Sequence, residues 1–273
     1  MRKRAGDFLL FLSLTLSLLC AALAMASLGA PAASAQQADP AAAVDAQKPP
    51  LTVDEVVSRM VARNREREEA LRKFQGTRVY SLKYTGFFGT HSAEMTVNVN
   101  YRSPDNKEFT IVSQSGSKFI VDHVLKGLLQ GEKEAANPEN KERTTLNASN
   151  YDFTFAGYDT SQGTPQYVLA VKPRKDTKFV YRGKIWVDGK DFAVTRIQAE
   201  PAKSPSFWVK KSEVNHHYEK VDRFWLPAEN KTESWIRMGG RAVLSIEYQD
   251  YKITDAASMD GSGLPAKSGP TGP

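Results

Sequence analysis

Along most of this chain, apolar and polar residues alternate with a period of two. The pattern begins after Thr77 and continues, with interruptions, to Tyr248. Successive side chains of a β-strand point to opposite faces, so this alternation gives each strand one apolar and one polar face. Such strands are typical of an antiparallel sheet with a single covered side. The pattern predicts about ten or eleven strands.

Short turn sequences separate the predicted strands. Asp188-Gly189 lies between two segments with apolar alternation, which is a strong signal for a β-hairpin. Asp222-Arg223 predicts a second hairpin, and Gly239-Gly240 separates the last two strands. The segment from Asn137 to Asn150 is rich in Asn, Glu and Lys and predicts a long loop.

Two segments have helical spacing instead. Thr52 begins a capping-box pattern, and the apolar stripe that follows predicts a helix over Val53–Phe74. A second amphipathic helix is predicted over Phe119–Ala136. Each of the two glycines inside it weakens the helix by about 1 kcal/mol relative to alanine. A helix of this kind is suited to covering a cavity and moving, and an ordinary packed helix is the alternative.

The first residues predict export from the cytoplasm. A positive start (Arg2-Lys3-Arg4) is followed by an apolar run (Phe8 to Leu19) and a small-residue cleavage site that ends at Ala35. This order is typical of a cleaved signal peptide over residues 1–35, with an uncleaved membrane anchor as the alternative. Because Cys20 is the only cysteine, the mature chain would contain no thiol.

The remaining chain is predicted to form one domain, residues 51–254. Residues 36–50 and 255–273 are rich in small and polar residues or in Gly and Pro, which predicts a disordered linker and a disordered tail. Removal of residues 1–35 takes away three basic residues and one acidic residue, so the formal charge falls from +6 to +4. No basic stripe indicates binding to nucleic acid.

Motifs that would indicate catalysis are scarce. Ser115-Gly-Ser-Lys118 fits the pattern of serine acylases, but no Lys-Thr-Gly follows. His216 and His217 are neighbours in a predicted strand, so they point to opposite faces and cannot chelate one ion together. The sequence therefore predicts no enzyme, no cofactor and no metal site.

The order of elements and several short motifs resemble a known superfamily, over most of residues 51–254. The segments that carry the resemblance are the helix Val53–Phe74, the strand Arg78–Thr85, the helix Phe119–Ala136, the hairpin from Trp186-Val187-Asp188 to Val194-Thr195-Arg196-Ile197, and the strand start Trp225-Leu226-Pro227. They resemble the outer-membrane lipoprotein-sorting (LolA-like) superfamily of periplasmic lipoprotein carriers and receptors.

The resemblance implies a strongly curved, incompletely closed antiparallel β-barrel with amphipathic helices as a lid. It also implies a monomeric periplasmic carrier that binds the acyl chains of lipids or lipoproteins, associates with the outer membrane and contacts a membrane protein of the envelope. The residues expected to line the cavity or the lid are Tyr80, Leu82, Tyr84, Met95, Val97, Val99, Phe109, Ile111, Ile120, Val124, Leu128, Trp186, Phe207 and Trp235.

Two other functions remain open from the sequence. The same fold can serve as a periplasmic sensor or interaction domain that regulates an envelope response. A hydrolase whose carboxylates meet only in the folded chain is the third hypothesis, and it predicts a polar cleft with strongly shifted carboxyl pKa values.

Overall fold

The structure is a computed structural model that describes residues 51–258, except residues 88, 105, 136–137, 161–162, 178, 205–206, 208 and 238. The predicted signal peptide, the linker and most of the predicted tail lie outside the described residues. The tail was predicted to begin at Asp255, but the last strand continues through Ala256, where it still pairs with the first strand.

Ten antiparallel strands form one sheet in the described part of the chain. The strands are β1 (Leu71–Gly86), β2 (Gly89–Arg102), β3 (Asn106–Gly116), β4 (Tyr151–Asp159), β5 (Gln166–Pro173), β6 (Tyr181–Asp188), β7 (Val194–Pro201), β8 (Val209–Val221), β9 (Phe224–Ile236) and β10 (Arg241–Ala256). Their order in the sheet is β3-β2-β1-β10-β9-β8-β7-β6-β5-β4.

The sheet is strongly curved. It is also open, because its edge strands β3 and β4 do not pair with each other. The predicted fold class, an incompletely closed antiparallel barrel with helices, is confirmed. The predicted hairpins are confirmed as well, since β6 pairs with β7 and β8 pairs with β9. Asp222 has a positive φ of 54°, as the tight turn between β8 and β9 requires.

Helix α1 (Val53–Ala70) begins with the predicted capping box, in which Thr52 and Glu55 each bond the other's backbone amide. The helix is shorter than predicted. Leu71 starts β1, and Phe74 stacks on Tyr101 of β2 with ring centroids 5.0 Å apart. Leu71 and Phe74, which continue the helical spacing in the sequence, therefore belong to a strand.

Between the edge strands the chain forms two helices. Helix α2 runs through an α-helical turn (Lys118–Ile120), a π-helical turn (Val121–Leu125) and an α-helical part (Lys126–Ala135). Its first amide groups are capped by Ser117, whose hydroxyl accepts a bond from the amide of Ile120 at 3.4 Å. Helix α3 (Pro138–Thr144) lies where the sequence predicted only a loop. The chain thus passes from one edge of the sheet to the other through α2 and α3.

The two longer helices pack on two separate apolar clusters. Helix α2 covers inward side chains of β1, β2 and β10 together with Val209 of β8 and Ile236 of β9, and we call this group the α2 cluster. Helix α1 contributes Val56, Val57 and Met60 to a second cluster with inward side chains of β4 to β8, which we call the α1 cluster. The concave side of the sheet is therefore filled by protein side chains in two halves.

Candidate functional site

The interior beneath α2 contains most of the residues that the sequence predicted for the cavity and lid. Strands β1 and β2 and helix α2 contribute buried members, and Phe109 of β3 packs against them while partly exposed. The predicted residues in this cluster are Tyr80, Leu82, Tyr84, Met95, Val97, Val99, Ile120, Val124 and Leu128. The structure thus brings the predicted strand positions together with the apolar face of the predicted lid.

Four predicted residues do not belong to this interior, and their placement there was wrong. Trp186 and Trp235 point to the outer face, where Arg196 lies over the ring of Trp186 at 4.6 Å. Phe207 precedes β8 and is 75% exposed. Ile111 lies opposite Val97, but it is 38% exposed because β3 is the edge strand. The interior site is therefore smaller than predicted.

A buried ion pair joins α2 to the sheet. Arg78 of β1 is 5% exposed and Glu132 of α2 is 6% exposed. The Arg78 guanidinium donates to both carboxylate oxygens of Glu132, at 2.6 and 3.3 Å. The ammonium of Lys107 in β3 donates to the same carboxylate at 2.8 Å. We call Arg78, Lys107 and Glu132 the latch, because these three residues connect the helix to two strands.

Aromatic side chains surround the Arg78 guanidinium. Its carbon lies 5.0 Å from the ring centroid of Tyr248 and 5.6 Å from that of Phe109. One of its nitrogens also donates to the hydroxyl of Tyr80 at 3.3 Å. A guanidinium held over ring faces in this way has few alternative positions, so Arg78 is fixed to receive the carboxylate of Glu132.

The charges of the latch determine the ionisation of Glu132. Burial raises the pKa of its carboxyl, but the positive charges of Arg78 and Lys107 outweigh burial and lower that pKa to about 2, from the ordinary 4.5. Glu132 is therefore ionised at neutral pH, and its carboxylate faces the two positive charges of Arg78 and Lys107 throughout the physiological pH range.

We expect the latch to make folding depend on acid pH. A carboxyl with a lowered pKa stabilises the fold fully above the unfolded value near 4.5 and loses this contribution as the pH falls toward 2. For Glu132 the contribution at neutral pH is about 3 kcal/mol. Urea unfolding measured from neutral pH to about pH 3 should show the decline. The decline should be smaller in Glu132→Gln, and an equal decline in both proteins would contradict this role.

The sequence places a charged residue of the latch at an inward position of β1 and another on the apolar side of α2. Arg78 occupies an inward position in the series continued by Tyr80 and Leu82, and Glu132 follows Leu128 by one helical turn. A charged residue at an apolar position of each element indicates a buried partner. The alternation alone could not pair the two residues, because they are far apart in sequence.

The outer face of the sheet carries a groove of about 940 Å³. It is lined by outward side chains of β1, β2, β9 and β10, among them Lys83, Glu94, Trp235, Arg241, Val243 and Ser245. Lys83 lies opposite Ser92 on one side and Val243 on the other. Leu82 and Ala93 of the α2 cluster and Gly116 at the end of β3 also border this groove.

Carboxyl groups with shifted pKa values do not mark an acid catalyst in the described residues. The pKa values of Glu55, Asp122, Glu132 and Asp191 are all lowered. A general acid at neutral pH needs a raised pKa. Within the described part of the chain, no group of three or more His, Cys, Asp or Glu residues is placed to hold a metal ion.

None of the helices among the described residues has the length and apolar character needed to cross a membrane.

Comparisons with known proteins give fold relatives of low identity. A sequence model described as a family of unknown function (DUF5686) matches residues 145–249. A search of curated proteins gave no significant match. Among solved structures, a DUF1329 family protein from Desulfovibrio piger is 14% identical, with a TM-score of 0.39, and the match covers 76% of this chain and 95% of that chain.

Two further solved structures are similar to this chain at low identity. An outer membrane lipoprotein-sorting protein domain from Vibrio parahaemolyticus is 10% identical, with a TM-score of 0.36 and coverage of 78% of this chain and 93% of its own. A LolA superfamily protein from Nitrosomonas europaea is 10% identical, with a TM-score of 0.34 and coverage of 75% and 94%.

Proposed function

We propose that this protein is a periplasmic, non-enzymatic carrier of acyl chains, in which helix α2 is the lid of the binding site. The observation that carries the proposal is the buried latch between Arg78 and Glu132, which holds an apolar helix face over an apolar sheet face. The export signal predicted for residues 1–35 supports a periplasmic location, and a lipid or lipoprotein is the ligand that fits an apolar interior.

Helix α2 has features that suit a movable cover. Its apolar residues Ile120, Val124 and Leu128 fill the concave face, so their departure would leave an apolar surface of matching shape. The helix changes from a π-helical turn to an α-helical part at Lys126, and π turns are often found at functional sites. Its outer side carries ion pairs from Asp122 to Lys118 and Lys126, which hold the helix together without attaching it to the sheet.

The energetics favour exchange of the lid for a ligand. Opening of the lid breaks the ion pairs of the latch and the apolar contacts of α2. An acyl chain that occupies the same surface restores apolar burial at about 25 cal/mol per Å². Because the acyl chain and helix α2 compete for the same surface of the sheet, a weaker latch favours the ligand-bound state. Closure of the lid would then favour release of the ligand.

Uptake of a fluorescent fatty acid tests this proposal. The wild-type protein is expected to bind the probe, and Glu132→Gln is expected to take it up several-fold faster because opening of the latch precedes binding. Stopped-flow fluorescence measures both rates. The matched control is Asp122→Asn, which removes a carboxylate of the same helix outside the latch and should leave the rate unchanged. Absence of uptake by both proteins, or equal uptake rates, would contradict the proposal.

A second candidate function is a protein-interaction domain, and edge strand β3 is the observation that favours it. Val112 is 58% exposed on this unpaired edge, and an exposed edge strand can pair with a strand of another protein. A pull-down of the full chain from envelope extracts would then yield one stoichiometric partner. Val112→Lys should abolish that capture, and capture that is insensitive to this change would count against β3 as the interface.

A further inference from the structure

A strip of buried polar residues crosses the concave face between the two apolar clusters. It occupies inward positions of β8 and β9, where Ser212 lies directly opposite Ser234 and His216 directly opposite Asn230. The residues of this strip, which we call the polar seam, are Ser212, His216, Asn230, Thr232 and Ser234, each between 1% and 5% exposed. The alternation of β8 and β9 therefore places polar groups inside the protein.

The polar seam is a hydrogen-bonded ladder. The hydroxyls of Ser212 and Ser234 are 2.8 Å apart, and the hydroxyl of Thr232 donates to the amide oxygen of Asn230 at 3.1 Å. The amide nitrogen of Asn230 lies 3.2 Å from Nδ1 of His216. These groups offer hydroxyl and amide donors at a depth where solvent does not reach them.

The position of the polar seam relates it to the lid. Thr232 lies directly opposite Leu244 and Ser234 opposite Ala242, and both partners belong to the α2 cluster. On the other side, His216 lies opposite Ile197 of the α1 cluster. The polar seam therefore borders the apolar surface that α2 covers. Its β9 residues lie on the strand that pairs with β10, and its β8 residues lie on the next strand.

Polar side chains at buried positions of a sheet lower the stability of the fold relative to apolar side chains, and a sheet that needs only to pack does not require them. A buried polar group loses its bonds to water, and apolar residues of the same volume would fill these positions without that cost. An acyl chain that replaces α2 on β1, β2 and β10 would lie beside the polar seam. The first polar group next to an acyl chain in an acylated ligand is the carbonyl of its ester or amide linkage, which accepts hydrogen bonds.

We propose that the polar seam binds the ester or amide carbonyl groups of an acylated ligand, with the Ser212 and Ser234 hydroxyls as donors. The carrier would then select chains in ester or amide linkage, as in glycerolipids and acylated proteins, over chains of equal length without the carbonyl. This inference rests on the proposed function, because the carbonyl reaches the polar seam only when an acyl chain occupies the surface under α2.

The test compares a short-chain diester phospholipid with its diether analogue of equal chain length and headgroup. Each lipid displaces a bound fluorescent fatty acid, and the two displacement constants are compared. The wild-type protein should prefer the diester by about tenfold, as one or two hydrogen bonds predict. In S212A/S234A the preference should fall to about twofold or less through weaker binding of the diester, while affinity for the diether, which has no carbonyl, is kept. Both serines are replaced together because a single substitution would leave the other hydroxyl buried without the bond that it makes now. The urea midpoint confirms that the variant is folded.

The matched control is S81A/S245A, a directly paired serine pair on the outer face of the same sheet. It should keep the full preference for the diester. Equal affinity for diester and diether in the wild-type protein, or an unchanged preference in S212A/S234A, would overturn the inference while acyl binding stands. Failure of the wild-type protein to bind the fatty acid and both phospholipids would overturn the proposed function itself.

Discussion

Replacing Glu132 by alanine is expected to lower the free energy of unfolding by about 3 to 5 kcal/mol. The substitution leaves the Arg78 guanidinium buried without the carboxylate that it contacts at 2.6 Å. Removing one partner of a buried pair is strongly destabilising, because the remaining charge keeps its desolvation cost. Urea unfolding of the full chain at neutral pH measures the loss.

Two variants separate this effect from general damage to α2. Asp122→Ala breaks two ion pairs on the same helix, but its partners Lys118 and Lys126 stay in contact with water, so the loss should be much smaller. The double variant R78M/E132L removes both buried charges and should recover most of the stability lost in Glu132→Ala. A loss in Asp122→Ala as large as that in Glu132→Ala would contradict the latch.

Replacing Leu125 by alanine is expected to destabilise the protein by about 2 to 5 kcal/mol and to increase its affinity for fatty acid. Leu125 is completely buried in the α2 cluster. Its truncation weakens the lid and leaves an apolar space that an acyl chain can occupy. Urea unfolding gives the first quantity, and titration with a fluorescent fatty acid gives the second.

Leu169→Ala is the matched control for this prediction. Leu169 is equally buried, but it lies in the α1 cluster on β5. Its truncation should cost a similar free energy of unfolding without a gain in fatty acid affinity. If both variants gain affinity equally, the gain reflects loosening of the whole fold, and α2 has no special role.

Much of the sheet could be predicted from sequence because its signals are local. Alternation with a period of two depends on neighbouring residues, as in Tyr80, Leu82 and Tyr84 of β1. The turn at Asp188-Gly189 and the capping box at Thr52 likewise depend on short segments, and both are present in the structure.

The errors have physical causes in the same local rules. The inward positions of β9 are polar at Asn230, Thr232 and Ser234, so the apolar pattern pointed Trp235 to the wrong face. Leu71 and Phe74 happened to continue the helical spacing of α1, although β1 already begins at Leu71. The alternation of apolar and polar residues shows that the two faces of a strand differ. It does not show which of the two faces is buried in the folded protein.

The latch and the polar seam could not be predicted because both require distant segments to meet. Arg78 and Glu132 are separated by β2, β3 and most of α2, and only the packing of α2 on the sheet brings them together. The polar seam depends on the register of β8 and β9, in which Ser212 meets Ser234. The spacing places charged or polar residues at inward positions, but it does not show which of them meet in the folded chain.

Native mass spectrometry of the protein purified from a bacterial host tests the carrier function most directly. The proposal predicts a population with the added mass of a co-purifying lipid. It further predicts that delipidated protein regains a bound species when fatty acid is added, and that Glu132→Gln has higher occupancy than the wild-type protein. A clean apo mass in both proteins, together with no uptake of a fluorescent fatty acid, would contradict acyl-chain carriage.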